Sequence, residues 1–157
     1  MTMSDEPIKT RFVQKILVPV DFSEPSRAAL QYAIDLADPL GASIDVIHAY
    51  DVPAMASGSL VLTTRGVNRP FADWKLQRAK HDVDEFVRTV NAGVPLTTVV
   101  VEGSPAPAVQ QYAKEHAVDL IVIATRGRSQ VARVLLGSVA DRVVRTAPCP
   151  VLTVRAD

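Results

Sequence analysis

Five short runs of mostly apolar residues recur along this chain, and helical spacing returns between them: 15–21, 43–50, 96–102, 120–124 and 151–155. The first, Lys15-Ile-Leu-Val-Pro-Val-Asp21, and the fourth, Leu120-Ile-Val-Ile-Ala124, show no polar alternation. Runs of that kind suit strands covered on both faces, which in practice means a parallel sheet with helices above and below. Strands alternating with helices predict an α/β fold with right-handed crossovers. The expectation is a single open, mainly parallel five-stranded sheet with helices on both faces.

Local signals delimit the helices. Ser23 reads as an N-cap with Pro25 in the first turn. Leu30, Ala33, Ile34 and Ala37 then follow at helical spacing, and Asp38-Pro39 with Gly41 reads as the stop. Ala79, Val83, Phe86, Val87 and Val90 predict a second helix, starting near Phe71 or Trp74 and ending at Asn91-Ala-Gly93. Ser104 and Pro105 read as the cap and first position of a third, running through His116, and a fourth is centred on Val139–Arg145. Residues 52–70, with Pro53, Gly58, Gly66, Pro70, Arg65 and Arg69, read as a long, mobile loop of the sort that carries function. Residues 1–14 read as a flexible tail, and 15–157 as one domain.

A length of 157 residues, 48% hydrophobic and 22% charged, can bury a core of its own. Lys+Arg and Asp+Glu both number 17, so no global field draws the chain to nucleic acid or anionic lipid. The single cysteine, Cys149, forbids an intrachain disulfide and a Cys-rich zinc site, and reads as a buried structural thiol. With no apolar stretch near the length of a membrane span (about 18 residues) and no secretory pattern, a cytoplasmic protein is expected.

Chemistry concentrates at two strand ends. Asp119-Leu-Ile-Val-Ile-Ala-Thr-Arg-Gly127 passes from a strand into a basic loop, and nine residues later Gly137-Ser138 opens a helix. A sharp turn after a strand, beside a helix N-terminus, offers N–H groups to phosphate oxygens. Asp21 places a carboxylate at the end of the first strand. It serves equally well as a ligand acceptor, a helix cap, or the start of an Asx-turn with Ser23. Ligands of open sheets sit beyond the carboxyl ends, where strand order reverses. The two ends form one site if those strands are neighbours.

The chain resembles the universal stress proteins from Lys15 to Arg155. The resemblance rests on Lys-Ile-Leu-Val-Pro-Val-Asp-Phe-Ser at 15–23, Asp-Leu-Ile-Val-Ile-Ala-Thr-Arg-Gly at 119–127, Leu-Leu-Gly-Ser-Val-Ala-Asp-Arg-Val at 135–143 and Ala-Pro-Cys-Pro-Val-Leu at 147–152. It implies an adenine nucleotide alpha hydrolase-like, Rossmann-like fold, and the branch of that family that binds ATP, with or without Mg2+. That branch carries Gly-x2-Gly-x9-Gly-Ser/Thr, and here the first glycine is Ala124. The resemblance places Pro19, Val20 and Asp21 at the ribose or adenine, and Ala49 and Ile123 at the base. It places Ala124 and Gly127 at the sugar and phosphates, and Gly137, Ser138, Val139 and Ala140 at the phosphate tail. Arg126, Arg128 and Arg133 flank the loop and suit phosphate, or simply solvent. The resemblance also implies a stress-response or signalling homodimer formed through Val151–Val154, which as a last strand exposes pairing groups.

Neither catalytic residues nor a metal site is expected. The Walker and dinucleotide fingerprints are absent. His48 at a strand end reads as structural, His81 and His116 as surface residues, and Asp141 as the ion-pair partner of Arg145. Two rivals stay open. One is a dimeric interaction module of the same fold that binds no nucleotide, which Ala124 favours. The other is an ATP-hydrolysing enzyme, for which no base is identifiable.

Overall fold

The computed structural model describes residues 12–56, 60–126 and 136–155. In chain order the elements are β1 (Lys15–Pro19), α1 (Glu24–Leu40), β2 (Ser43–Tyr50), β3 (Val61–Thr64), β4 (Val67–Pro70), α2 (Phe71–Arg88), β5 (Leu96–Glu102), α3 (Pro105–Glu115), β6 (Leu120–Ala124), α4 (Ser138–Thr146) and β7 (Val151–Val154). Five strands form one sheet in the order β5-β2-β1-β6-β7, every neighbouring pair parallel. The chain builds outward from β1 through β2 to β5, then returns to place β6 on the other side of β1. The strand order therefore reverses between β1 and β6, whose register pairs Ile16 with Leu120 and Leu17 with Ile121.

The pleat divides the core in two, because successive side chains point to opposite faces. Ile16, Val18, Ile44, Val46 and Val122 pack beneath Leu30, Ala33 and Ile34 of α1 and Val83 and Phe86 of α2. Leu17, Ile47, Ile121 and Ile123 pack beneath Val109 of α3 and Ala140 and Val143 of α4. This is why the central runs are unbroken hydrophobic stretches: each residue has a helix to meet on its own side.

Several local expectations need correction. The helix α1 continues through Pro39 to Leu40, and Gly41 ends it, with φ 62° and its N–H directed to the carbonyls of Ala37 and Asp38. Proline is accommodated because the helix has almost run its length there. The helix α2 starts at Phe71 and ends at Arg88, before Asn91–Gly93. Ser104 occupies the N-cap position of α3, yet its side chain caps nothing.

Residues 52–70 are not one loop. A 3₁₀ turn covers Ala54–Ala56, and β3 pairs antiparallel with β4 around Arg65-Gly66, at φ 53° and 80°. Two successive positive φ angles give the turn whose twist matches a tight hairpin. The tail reading of 1–14 also ends early. The Gln14 N–H donates to Asp119 Oδ2 at 3.0 Å, and its carbonyl accepts from the Ser43 N–H at 2.9 Å. Residues 1–11 lie outside the described residues.

Candidate functional site

Beyond the carboxyl ends of β1 and β6 lies a cavity of about 560 Å³. Pro19, Val20, Asp21, Ala49, Ile123, Ala124, Gly137, Ser138, Val139 and Ala140 all line it. These residues come from three strand ends and one helix N-terminus, and the reversal of strand order brings them together. Gly127, Arg128 and Arg133 lie outside the described residues.

The cavity is apolar where it meets the sheet. Ile47 and Ala49 share one face of β2, and Pro105 and Val109, one helical turn apart, close that side from α3. The sequence reading missed Ile47, Pro105 and Val109, although spacing of two along a strand and four along a helix was the available signal. It also missed Ser26 and Thr125, which line the cavity with Arg126. The ionisable lining residues are Asp21, His48 and Arg126.

Asp21 stands at the mouth, and its Oδ1 accepts from the Ser23 N–H at 3.1 Å and from the Ser23 hydroxyl. The Asx-turn is therefore formed, and Asp21 is also among the residues lining the cavity. Ser23 in turn caps α1, its Oγ accepting from the Ser26 N–H at 3.3 Å.

On the opposite wall, Gly137 is the N-cap of α4 with φ −67° and ψ 157°, an extended backbone open to any residue. Glycine gives room there, because a Cβ would meet the Thr125 carbonyl oxygen at 3.2 Å, a tight contact to which the Thr125 backbone would have to yield. The Gly137 N–H donates to that same oxygen at 2.6 Å, so it is not available to a ligand. The helix proper begins with the Asp141 N–H donating to the Gly137 carbonyl at 2.8 Å. Gly137 brings no side chain to cap the N–H groups before it, those of Ser138, Val139 and Ala140. Uncapped N–H groups and the positive end of the helix dipole together form an anion-binding surface.

Ala124 stands where the ATP-binding pattern has its first glycine. Its φ is not positive, and its methyl group packs with Val18 and Val122 in the core beneath α1. Ile123, with the opposite parity, faces the cavity side with Ile47 and Val109. Ala124 therefore belongs to the core beneath α1 and also lines the cavity.

The remaining candidates fall outside the chemistry. The His48 Nδ1 lies 2.9 Å from the Val20 carbonyl oxygen, and the ring packs on Phe22. His81 is exposed on α2, and His116 stacks on Tyr112 at 3.8 Å. Asp141 pairs with Arg145 at 3.0 Å, both in solvent. Cys149 is half-buried against the α3/α4 core, a correction to the fully buried thiol expected. Among the described residues, no three His, Cys, Asp or Glu side chains converge as metal ligands. No helix of the described residues is long and apolar enough to cross a membrane.

Comparison with known proteins agrees with this architecture. The pattern of the Universal stress protein family matches residues 13–155. A universal stress protein of Methanocaldococcus jannaschii is 34% identical over 146 residues, covering 90% of this chain and 82% of that protein. The solved structure of the universal stress protein UspA from Lactobacillus plantarum superposes with a TM-score of 0.69 at 31% identity, covering 91% of this chain and 98% of that one. A universal stress protein solved in complex with cAMP gives a TM-score of 0.60 at 25% identity, covering 92% and 98%. The chain belongs to the universal stress protein family.

Proposed function

We propose that this protein binds an adenine nucleotide, ATP, in the cavity between β1 and β6, and acts as a stress-response or signalling homodimer in the cytoplasm. The observation that carries the reading is the two-ended cavity: apolar walls at the sheet and an uncapped helix N-terminus at the other wall. A base suits the apolar part formed by Ile47, Ala49, Val109 and Ile123. Asp21 accepts from the nucleoside, while the amides of Ser138, Val139 and Ala140, the Ser138 hydroxyl and Arg126 hold the phosphates. Gly127 and Arg128, which follow β6 in the sequence, are assigned to the phosphates in this reading by the family resemblance alone. Mg2+ would travel on the phosphate oxygens, since Asp21 is the only carboxylate among the described lining residues. The relative solved with cAMP supports the adenine class.

Binding rather than catalysis is the reading, because no described lining residue pairs a base with a positioned nucleophile. Residues 15–157 act as one unit. Among the described residues β7 is an edge strand, and in this reading its side opposite β6 supplies the two-fold pairing with a second copy. Neither nucleic acid nor membrane is a partner in this reading. The rival, which Ala124 favours, is a dimeric interaction module of the same fold that binds no nucleotide.

Mass spectrometry of the denatured, purified protein, with calorimetry against ATP, tests the proposal. Recovered adenine nucleotide or a saturable ATP heat is expected. An empty protein with no ATP heat would overturn it.

A further inference from the structure

The turn between β1 and α1 holds a bulky residue in a conformation bulky residues avoid. Phe22 has φ 66°, in the left-handed region. There the Cβ crowds the neighbouring carbonyl, and glycine or asparagine is the usual occupant. Such a conformation persists where the surroundings over-determine it. Here the Phe22 ring packs 4.3 Å from the His48 ring and 5.6 Å, edge-on, from Phe86 of α2. Both neighbours are themselves held: His48 by its 2.9 Å contact with the Val20 carbonyl, and Phe86 by the Arg27 guanidinium 4.6 Å above its ring.

The ring and the carboxylate next to it serve different faces of the sheet. Phe22 packs with the α1/α2 core, whereas Asp21 lines the cavity on the α3/α4 side. A glycine at this position would adopt the angle without strain, but it would also leave it easily. A wedged aromatic ring makes the turn rigid, and the turn sets where the Asp21 carboxylate points.

We infer that Phe22 is a positioning residue for the nucleotide site: its ring, wedged between His48 and Phe86, holds the turn that aims Asp21 into the cavity. This rests on the nucleotide reading and adds that affinity at the nucleoside end is set from the far face of the sheet, through α2.

A double-mutant cycle read by ATP calorimetry tests it. Phe22→Leu is expected to weaken ATP binding about tenfold, as is Asp21→Asn, while the double variant binds within about twofold of Asp21→Asn alone. Phe22→Tyr, which keeps the ring, restores the affinity. Losses that multiply in the double variant overturn the inference while leaving the nucleotide reading intact, because Phe22 would then act by loosening the fold in general. No ATP heat from the wild-type protein overturns both.

Discussion

The two turns that form the cavity, after β1 and after β6, start alike and end differently. Each leaves the carboxyl end of a central strand, and each leads into a helix N-terminus. The first is closed on itself: Ser23 caps α1, Asp21 accepts from Ser23, and Phe22 is wedged among rings. In the second, among the described residues, the Gly137 N–H donates to the Thr125 carbonyl, and Gly137 brings no side chain to cap the first amides of α4. An N-terminus satisfied by its own side chains is a fixed wall. One without a cap is a place for an anion. The cavity thus combines a shape-determining side with a charge-receiving side.

The contrast breaks most severely at Gly137. Gly137→Val places a branched side chain against the Thr125 carbonyl, where even a Cβ has 3.2 Å. Overpacking of this kind costs about 1–3 kcal/mol. Denaturant unfolding should register that loss, and calorimetry should show ATP affinity reduced by at least about tenfold. A variant of wild-type stability and affinity would remove the close approach from the account.

The next test exchanges the roles of two serines. Ser23→Ala deletes the cap on Ser26 and should lower stability by about 1 kcal/mol. Ser138→Ala deletes no cap, so stability should stay within about 0.5 kcal/mol while ATP affinity falls several-fold. Equal stability losses would show that the two turns do not differ as argued. Salt should discriminate more gently. Raising ionic strength screens Arg126 and the α4 terminus, so ATP binding should weaken while adenosine binding holds. Equal losses for both ligands would contradict a charge-receiving side.

The smallest effect lies away from both turns. The Tyr112 hydroxyl on α3 donates to the Asp45 carboxylate at 3.1 Å, and burial, followed by that carboxylate, pushes the phenol up to about 12. The folded state favours the protonated phenol more than the unfolded state does. Its contribution is therefore complete below pH 10 and is lost as pH rises from about 10 towards about 12. Tyr112→Phe should flatten that alkaline loss in unfolding curves while leaving ATP affinity untouched. A change in affinity would mean that α3 acts on the site beyond Pro105 and Val109.

The hairpin of β3 and β4 was hidden in the sequence because Pro53, Gly58, Gly66 and Pro70 all signal breaks, and two strands of four residues give almost no period to read. Ser104 misled for a different reason. A hydroxyl at the N-cap position permits a capping bond, but side-chain direction decides whether it forms. The contact of His48 with Phe22 joins residues 26 positions apart and leaves no mark on local pattern.

What the amino-acid sequence determined by itself was local and periodic: unbroken apolar strands, helices between them, Ser23 as a cap, Asp21 and Gly137-Ser138 at the ends of their elements. Those follow from side-chain alternation and backbone chemistry within a few residues. Only the tertiary structure decided that β6 returns beside β1, and that Gly137 is a matter of space rather than of backbone angle. It also decided that Ala124 joins the core beneath α1 and Ile123 the core beneath α3 and α4, while both line the cavity. Strand order sets which neighbours a side chain meets, and pleat parity sets which face it meets them on. Neither is written in any short stretch of chain.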